Sequence, residues 1–472
     1  MIPAILDAPR EFPVVRYGAK GDGESLDTAA IQRAIDAAAE TGGGRVVLGK
    51  GRFLSGTIFL KSGVELRIER GATLLGSTSR PDYRKVRWHA LILADGQKDV
   101  AITGSGTIDG QGQALAADVV RRWKAGEYGP TGVASRPDEA ERPELIDLSN
   151  CRRVRVEGVT LRDSACWVQT YDRCEDLLVR GVRVVSRAYW NNDGIDLVDC
   201  RRALVERCDI DSADDGVCLK SAAGGGGCED VTVRDCRIRS SASAVKLGTG
   251  SFEGFRHILI EGIDVRDTFR SAIALEAVDG GALENVTVRR VRARNVGNAL
   301  FIRLGHRNRA GEVSAVRNIL VEDVRAEVSA GKPDAGLAFE GPPAPEKTNI
   351  LPSSIVGLPC HPVENVTLRN VAVTMAGVPD RARAVLPEDV PLREAAYPEF
   401  SMLGELPAWG MYARDVRGLV LDRVTFRKSG GDFRPTAFLD AVRDADLTGM
   451  RVAPKGEGPT VVQRGSTGVR QP

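Results

Sequence analysis

From Cys151 onward the chain repeats one short phrase in which aliphatic residues alternate with Arg, Glu and Asp. It reads Cys151-Arg152-Arg153-Val154-Arg155-Val156-Glu157-Gly158-Val159 and then Cys174-Glu175-Asp176-Leu177-Leu178-Val179-Arg180-Gly181-Val182. Further copies begin at Cys200, Cys228, Phe255, Leu283, Val316, Val363, Val416 and Val442, and the first six copies start 23 to 28 residues apart. Alternation at a period of two predicts short strands with one buried face, and a repeat in the twenties predicts a solenoid whose coils share one core. No single coil can bury its own face, so neighbours must stack. The expected fold is all-β: a solenoid of short stacked strands with an N-terminal cap helix.

The amino-terminal stretch has a different period. Asp27-Thr28-Ala29-Ala30-Ile31-Gln32-Arg33-Ala34-Ile35 runs on to Gly42-Gly43-Gly44. This predicts an amphipathic helix over about 27–40, with Asp27 or Thr28 as N-cap, lying over the first coil. The period breaks at about 112–142, at about 330–362, which holds the Gly341-Pro342-Pro343-Ala344-Pro345 run, and at about 377–413. These are expected to be insertions that wall a groove. Residues 1–455 are thus expected to be one solenoid domain, and 456–472 a flexible tail.

Composition narrows the class. With 42% hydrophobic and 27% charged residues the chain has material for a large core. Lys plus Arg (65) nearly equals Asp plus Glu (64), so no basic field attracts nucleic acid or an anionic membrane. No apolar run is long enough to span a bilayer, and the first residues carry no leader pattern. The expected address is the cytoplasm, or the periplasm or exterior if a leader has been removed. Of nine Cys, eight fall between Cys151 and Cys236 without Cys-x-x-Cys spacing. They read as an interior stack of small apolar side chains rather than as disulfides or a metal site.

Two neighbouring coils carry acids at the same level: Asn191-Asn192-Asp193-Gly194-Ile195-Asp196, then Asp214-Asp215-Gly216-Val217-Cys218-Leu219-Lys220. One rung apart, Asp193 and the Asp214-Asp215 pair lie about 4.8 Å from each other along the axis. Carboxylates crowded in this way drive their pKa values apart, which makes an acid and a base of like residues. These residues bring a family into view. From Tyr17 to about Arg325 the chain resembles the polygalacturonase-type glycoside hydrolases of family 28, right-handed parallel β-helices that cleave pectic polymers with inversion. The resemblance rests on Tyr17-Gly18-Ala19-Lys20-Gly21-Asp22-Gly23, Gly56-Thr57-Ile58-Phe59-Leu60-Lys61-Ser62, Gly104-Ser105-Gly106-Thr107-Ile108-Asp109-Gly110-Gln111-Gly112, Arg142-Pro143, Asn191-Asn192-Asp193 and Asp214-Asp215. It implies Asp214 as general acid and Asp193 with Asp215 as the pair that holds and deprotonates the attacking water.

The chain also departs from that pattern. Where the family has Gly-His-Gly and Arg-Ile-Lys, this sequence has Ala242-Ser243-Ala244 and Ala274-Leu275-Glu276. The cations that hold a uronate are missing, so plain polygalacturonate is not the expected substrate. Strand alternation places Asp196, Cys218, Lys246, Ala274 and Arg303 in one outward column, with Lys220 and Glu276 in the next. Lys246, with Lys220 or Arg303, is expected to contact an acidic or polyhydroxyl sugar, and Asn191 and Glu276 complete the candidate substrate-binding set. Trp167 and Trp190 could stack on a sugar face, and His306 is the one His with a place near the cleft. The expected function is an inverting glycoside hydrolase, needing no cofactor or metal, that acts on pectin-like poly- or oligosaccharide from one end. Two rivals are a Ca²⁺-dependent polysaccharide lyase and a non-catalytic carbohydrate-binding β-helix.

Overall fold

The computed structural model describes residues 10–128, 136–334, 351–377, 389–453 and 458–472, so the Gly341–Pro345 run and parts of all three expected insertions lie outside the described residues. The chain divides into two compact units, Met1–Asn192 and Asp193–Pro472.

The first unit is a set of parallel coils with three strands per turn. One face stacks Glu11–Pro13, Gly44–Leu48, Val64–Ile68, Ala101–Gly104, Arg152–Glu157 and Glu175–Arg180 in parallel. A second stacks Gly51–Ser55, Ala72–Gly76, Thr107–Asp109, Thr160–Arg162 and Arg183–Ser186. The third runs through His89–Asp95, Glu144–Ser149 and Gln169–Asp172. Helix α1, Thr28–Glu40, packs against the earliest strands with Ala30, Ile31, Ala34, Ile35 and Ala38 buried. Asp27 stands at the N-cap position but does not cap. Its carboxylate accepts instead from the Lys20 and Gly21 amides at 2.8 and 2.9 Å, holding the turn before the helix. The break at 112–142, read as a loop, contains a second helix, α2, Gly112–Lys124, with Leu115, Ala116 and Val119 on its buried side.

The second unit repeats the three-strand coil. The face that carries the candidate site stacks Ile195–Val198, Val217–Ser221, Val245–Ser251, the ends of Asp264–Ala277 and Ala282–Leu304, then Ser353–Val356, Met411–Arg414, Ala437–Asp440 and Val461–Arg464. The tail expected to fray is ordered: Val461–Arg464 and Thr467–Arg470 continue the ladders of Ala437–Asp440 and Arg443–Asp446. Arg464 forks onto Asp440 at 2.9 and 2.6 Å, an anchoring pair that composition alone does not reveal. Among the described residues the eight interior Cys are buried, as the stack reading expects. Cys174 Sγ donates to Leu148 O at 3.3 Å, and Cys228 Sγ to Leu197 O at 3.5 Å.

Candidate active site

The outward column begins as expected and then departs. Asp196 is level with Cys218, Cys218 with Lys246, and Lys246 with Ala274. Ala274, however, pairs with Phe301, and Arg303 pairs with Glu276. Arg303 therefore belongs to the second column, two residues from its expected place. A bulge between Thr268 and Ser271 shifts the ladder. The run Leu300-Phe301-Ile302 is apolar throughout, and a slip of two keeps every side chain on its face, so alternation cannot detect it. Arg303 is fully buried, its Nη2 donates to the Leu392 and Arg393 carbonyls at 2.7 and 3.3 Å, and the charges acting on it are Arg414, Asp415 and Glu394. It does not join the acids.

Corrected, the column changes character along the unit: Asp196, Cys218 and Lys246 are followed by Ala274, Phe301, Ser354, Tyr412 and Phe438. The apolar end anchors a strap. Val390, Phe400, Met402, Leu403 and Leu406 bury themselves with Phe301, Tyr412 and Phe438 in one cluster. That anchorage brings two strap side chains to the polar end. Tyr397 Oη accepts from Lys246 Nζ at 3.0 Å, and Glu399 lies 3.5 Å from Arg270.

The acids converge because the rungs approach closely where they turn. Gly194 N donates to Asp215 O, and Gly216 N to Ser243 O, each at 2.8 Å. A Cβ on Gly194 would lie 2.6 Å from Gly216 O, and one on Gly216 would lie 2.6 Å from Ala244 O. Each acid is thus followed by glycine because the next winding leaves no room for a side chain. Asp193 and Asp215 are buried, each offering an oxygen within 4.8 Å of the other, and Asp214 is partly exposed. One water bonded to both carboxylates fits that span at ordinary hydrogen-bond lengths of about 2.8 Å.

Ammonium groups organise the acids. Lys220 Nζ donates to Asp193 at 2.9 Å and also to Asp196. Lys246, whose side chain is 3% exposed, lies 3.0 Å from Asp215 and 4.0 Å from Glu276. The Ser243 amide donates to Asp215 at 2.9 Å, and the Asp215 amide to Asp214 at 2.9 Å. Burial pushes Asp214 up to about 7, aided by the charges of Asp193 and Asp215. It pushes Asp193 up to about 8 against the pull of Lys220. Asp196 rises to about 6 and Glu276 to about 8, again chiefly through burial. Burial acts on Asp215 in the same sense, but Lys246, Arg270, Lys220 and the Ser243 amide outweigh it and hold this carboxyl below the usual range. Two adjacent aspartates are driven in opposite directions, the arrangement an acid–base pair requires.

Asp193, Asp215 and Cys218 could between them offer three ligands to a cation. Their donor set does not favour one, because Lys220 and Lys246 already lie against the two carboxylates and burial holds the Cys218 thiol well above its usual range. Asn191, in the first unit, accepts from Arg142 Nη2 at 2.8 Å. Asn192 is fully buried and binds the Ser164 and Cys166 carbonyls at 3.1 and 2.8 Å, so both asparagines build the turn. Trp167 packs against Trp88 with ring centroids 4.5 Å apart and planes tilted by 42°, and Arg136 lies over Trp190. His306 is taken up by Gly311 O and the backbone of Glu394. Asp196, Arg270, Tyr397 and Glu399 join the site without having been singled out. Asp196 could have been found as the first member of the column that holds Lys246, whereas nothing local in Tyr397 or Glu399 signals a partner some 150 residues back in the chain.

The chain is 24% identical over 379 residues to an exo-poly-alpha-D-galacturonosidase of Dickeya chrysanthemi, covering 67% of this chain and 62% of that relative. The chain thus spans under two thirds of that relative's length. Among solved structures it is similar to a hyperthermoactive exopolygalacturonase from Thermotoga maritima, with 25% identity and a TM-score of 0.65 over 78% of this chain and 89% of that one. The family 28 exopolygalacturonase of Yersinia enterocolitica gives the same TM-score at 20% identity over 95% of this chain and 79% of that one, and supports the right-handed parallel β-helix fold. The family model of glycosyl hydrolases family 28 matches residues 41–331, a span that takes in all three clustered aspartates, and the chain belongs to that family.

Proposed function

We propose that the protein is an inverting glycoside hydrolase acting on pectin-like poly- or oligosaccharide. The observation that carries this reading is the opposite tuning of neighbours: Asp214, partly exposed and raised to about 7, beside Asp215, buried and held low by Lys246. Asp214 donates its proton to the departing glycosidic oxygen. Asp215 takes the proton of a water that Asp193 helps to orient, and the water attacks the anomeric carbon from the opposite face. Lys220 and Lys246 fix the carboxylates and supply compensating charge.

Attack from a chain end is the mode we infer. The relatives named as exo-acting support it, and so does the strap, whose Tyr397 overlies Lys246 beside the acids. Release of reducing ends from pectic polymers and oligomers tests the activity, and proton NMR of the first-formed anomer tests its stereochemistry. A product that keeps the substrate's configuration overturns inversion. Early accumulation of mono- or disaccharide supports end attack, and a ladder of intermediate sizes overturns it.

A further inference from the structure

We propose that the sugar unit whose anomeric carbon faces Asp193 and Asp215 is uncharged, either a neutral glycosyl residue or a uronic acid masked as its ester, and not a free uronate. This rests on the hydrolase reading above and names the substrate class of that same site.

Among the described residues, the cations that act on the site acids are Lys220, Lys246 and Arg270. Each already faces a carboxylate: Lys220 meets Asp193 at 2.9 Å and also Asp196, Lys246 meets Asp215 at 3.0 Å, and Arg270 meets Glu399 at 3.5 Å. Around these cations stand Asp193, Asp196, Asp214, Asp215, Glu276 and Glu399. If all six acids are ionised, they exceed the three cations by three. If Asp193, Asp214 and Glu276 are protonated, as burial favours at neutral pH, three carboxylates still face three cations. Neither limit leaves positive charge to receive a substrate carboxylate. A free uronate would take a cation from Asp193, Asp196 or Asp215, which are buried, or from the half-buried Glu399.

A second observation points the same way. Glu276 Oε2 and Asp196 Oδ2 are buried without a hydrogen-bond partner. When ionised, these spare oxygens suit a hydroxyl group, which can donate, whereas the carboxylate of a uronate can only accept. Arg303, the next cation along the column of Glu276, is turned toward Arg414, Asp415 and Glu394. Arg270 is the one of the three whose side chain is most exposed, at 23%, and it acts on both Asp214 and Asp215 as well as on Glu399.

The experiment compares oligogalacturonides as free acids, as methyl esters and with the carboxyls reduced to alcohols, measuring kcat/KM for the full chain and calorimetric binding to the Asp214→Asn variant. We expect at least one uncharged form to exceed the free acid by tenfold or more, and which one does so separates a neutral sugar from a masked uronate. Glu276→Lys, its fold checked by circular dichroism, should narrow that ratio at least tenfold by adding positive charge. Equal rates, or a preference for the free acid that Arg270→Gln abolishes, overturn the inference and leave hydrolysis standing. Binding without turnover decides the charge preference while ending the hydrolase reading, and neither binding nor turnover of any form ends both.

Discussion

Asp214 and Asp215 share a peptide bond and a rung, yet their carboxyls meet different surroundings. The site acids titrate as a coupled group, so a pH profile reports macroscopic steps. The sign of each limb is still fixed. The acid must hold its proton, so kcat/KM falls as pH rises through about 7, where Asp214 ionises. The base must have lost its proton, so the acidic limb lies below the usual carboxylate range, where Asp215 is held. Lys246→Met removes the closest cation from Asp215, and we expect the acidic limb to move upward by about one unit or more, read from the same profile. Asp214→Asn should abolish hydrolysis, by about a thousandfold or more, as measured by reducing-end release. It should not unfold the chain. A carboxyl raised in the folded state is most comfortable below its unfolded pKa and loses stability as pH climbs toward its folded one, so at pH 8 the amide should raise Tm by about 2 °C or more in a thermal melt. The three acids were legible because they stand at equal positions in adjacent repeats. The resemblance already implied their division of labour, but its physical cause was not legible, because it depends on Lys246 and the Ser243 amide, which come from the following coil.

Elements differ in how openly they announce themselves. The coils do so through period, and α1 through its Ala and Ile spacing, but α2 lay hidden inside a break although Leu115, Ala116 and Val119 already formed a helical stripe. The strap is the harder case. Its apolar residues Phe400, Met402, Leu403 and Leu406 follow no repeat, and their partners Phe301, Tyr412 and Phe438 come from three separate strands. Only packing reveals that they belong together. Phe400 belongs to that cluster and accepts or donates no bond at the acids, so its effect must pass through the strap. Phe400→Ala should cost about 3–5 kcal/mol of stability by denaturant titration. It should also lower kcat/KM by about tenfold by releasing Tyr397 from Lys246. Loss of stability with unchanged catalysis would show the strap to be packing alone.

Within each unit the coils are stacked so that each depends on its neighbours. Truncation after Lys455 removes Val461–Arg464 and Thr467–Arg470, and with them Arg464 from Asp440 and Arg470 from Asp446. We expect Tm to fall by about 5 °C or more in differential scanning calorimetry. A tail that hung loose would leave it unchanged. The buried sulfurs carry another consequence. Of the nine cysteines eight are enclosed and Cys360 alone is exposed. A maleimide should therefore modify one thiol quickly in the native chain and all nine once the coils come apart, so that mass spectrometry after timed labelling becomes a clock for how often the coils open and which turns open first.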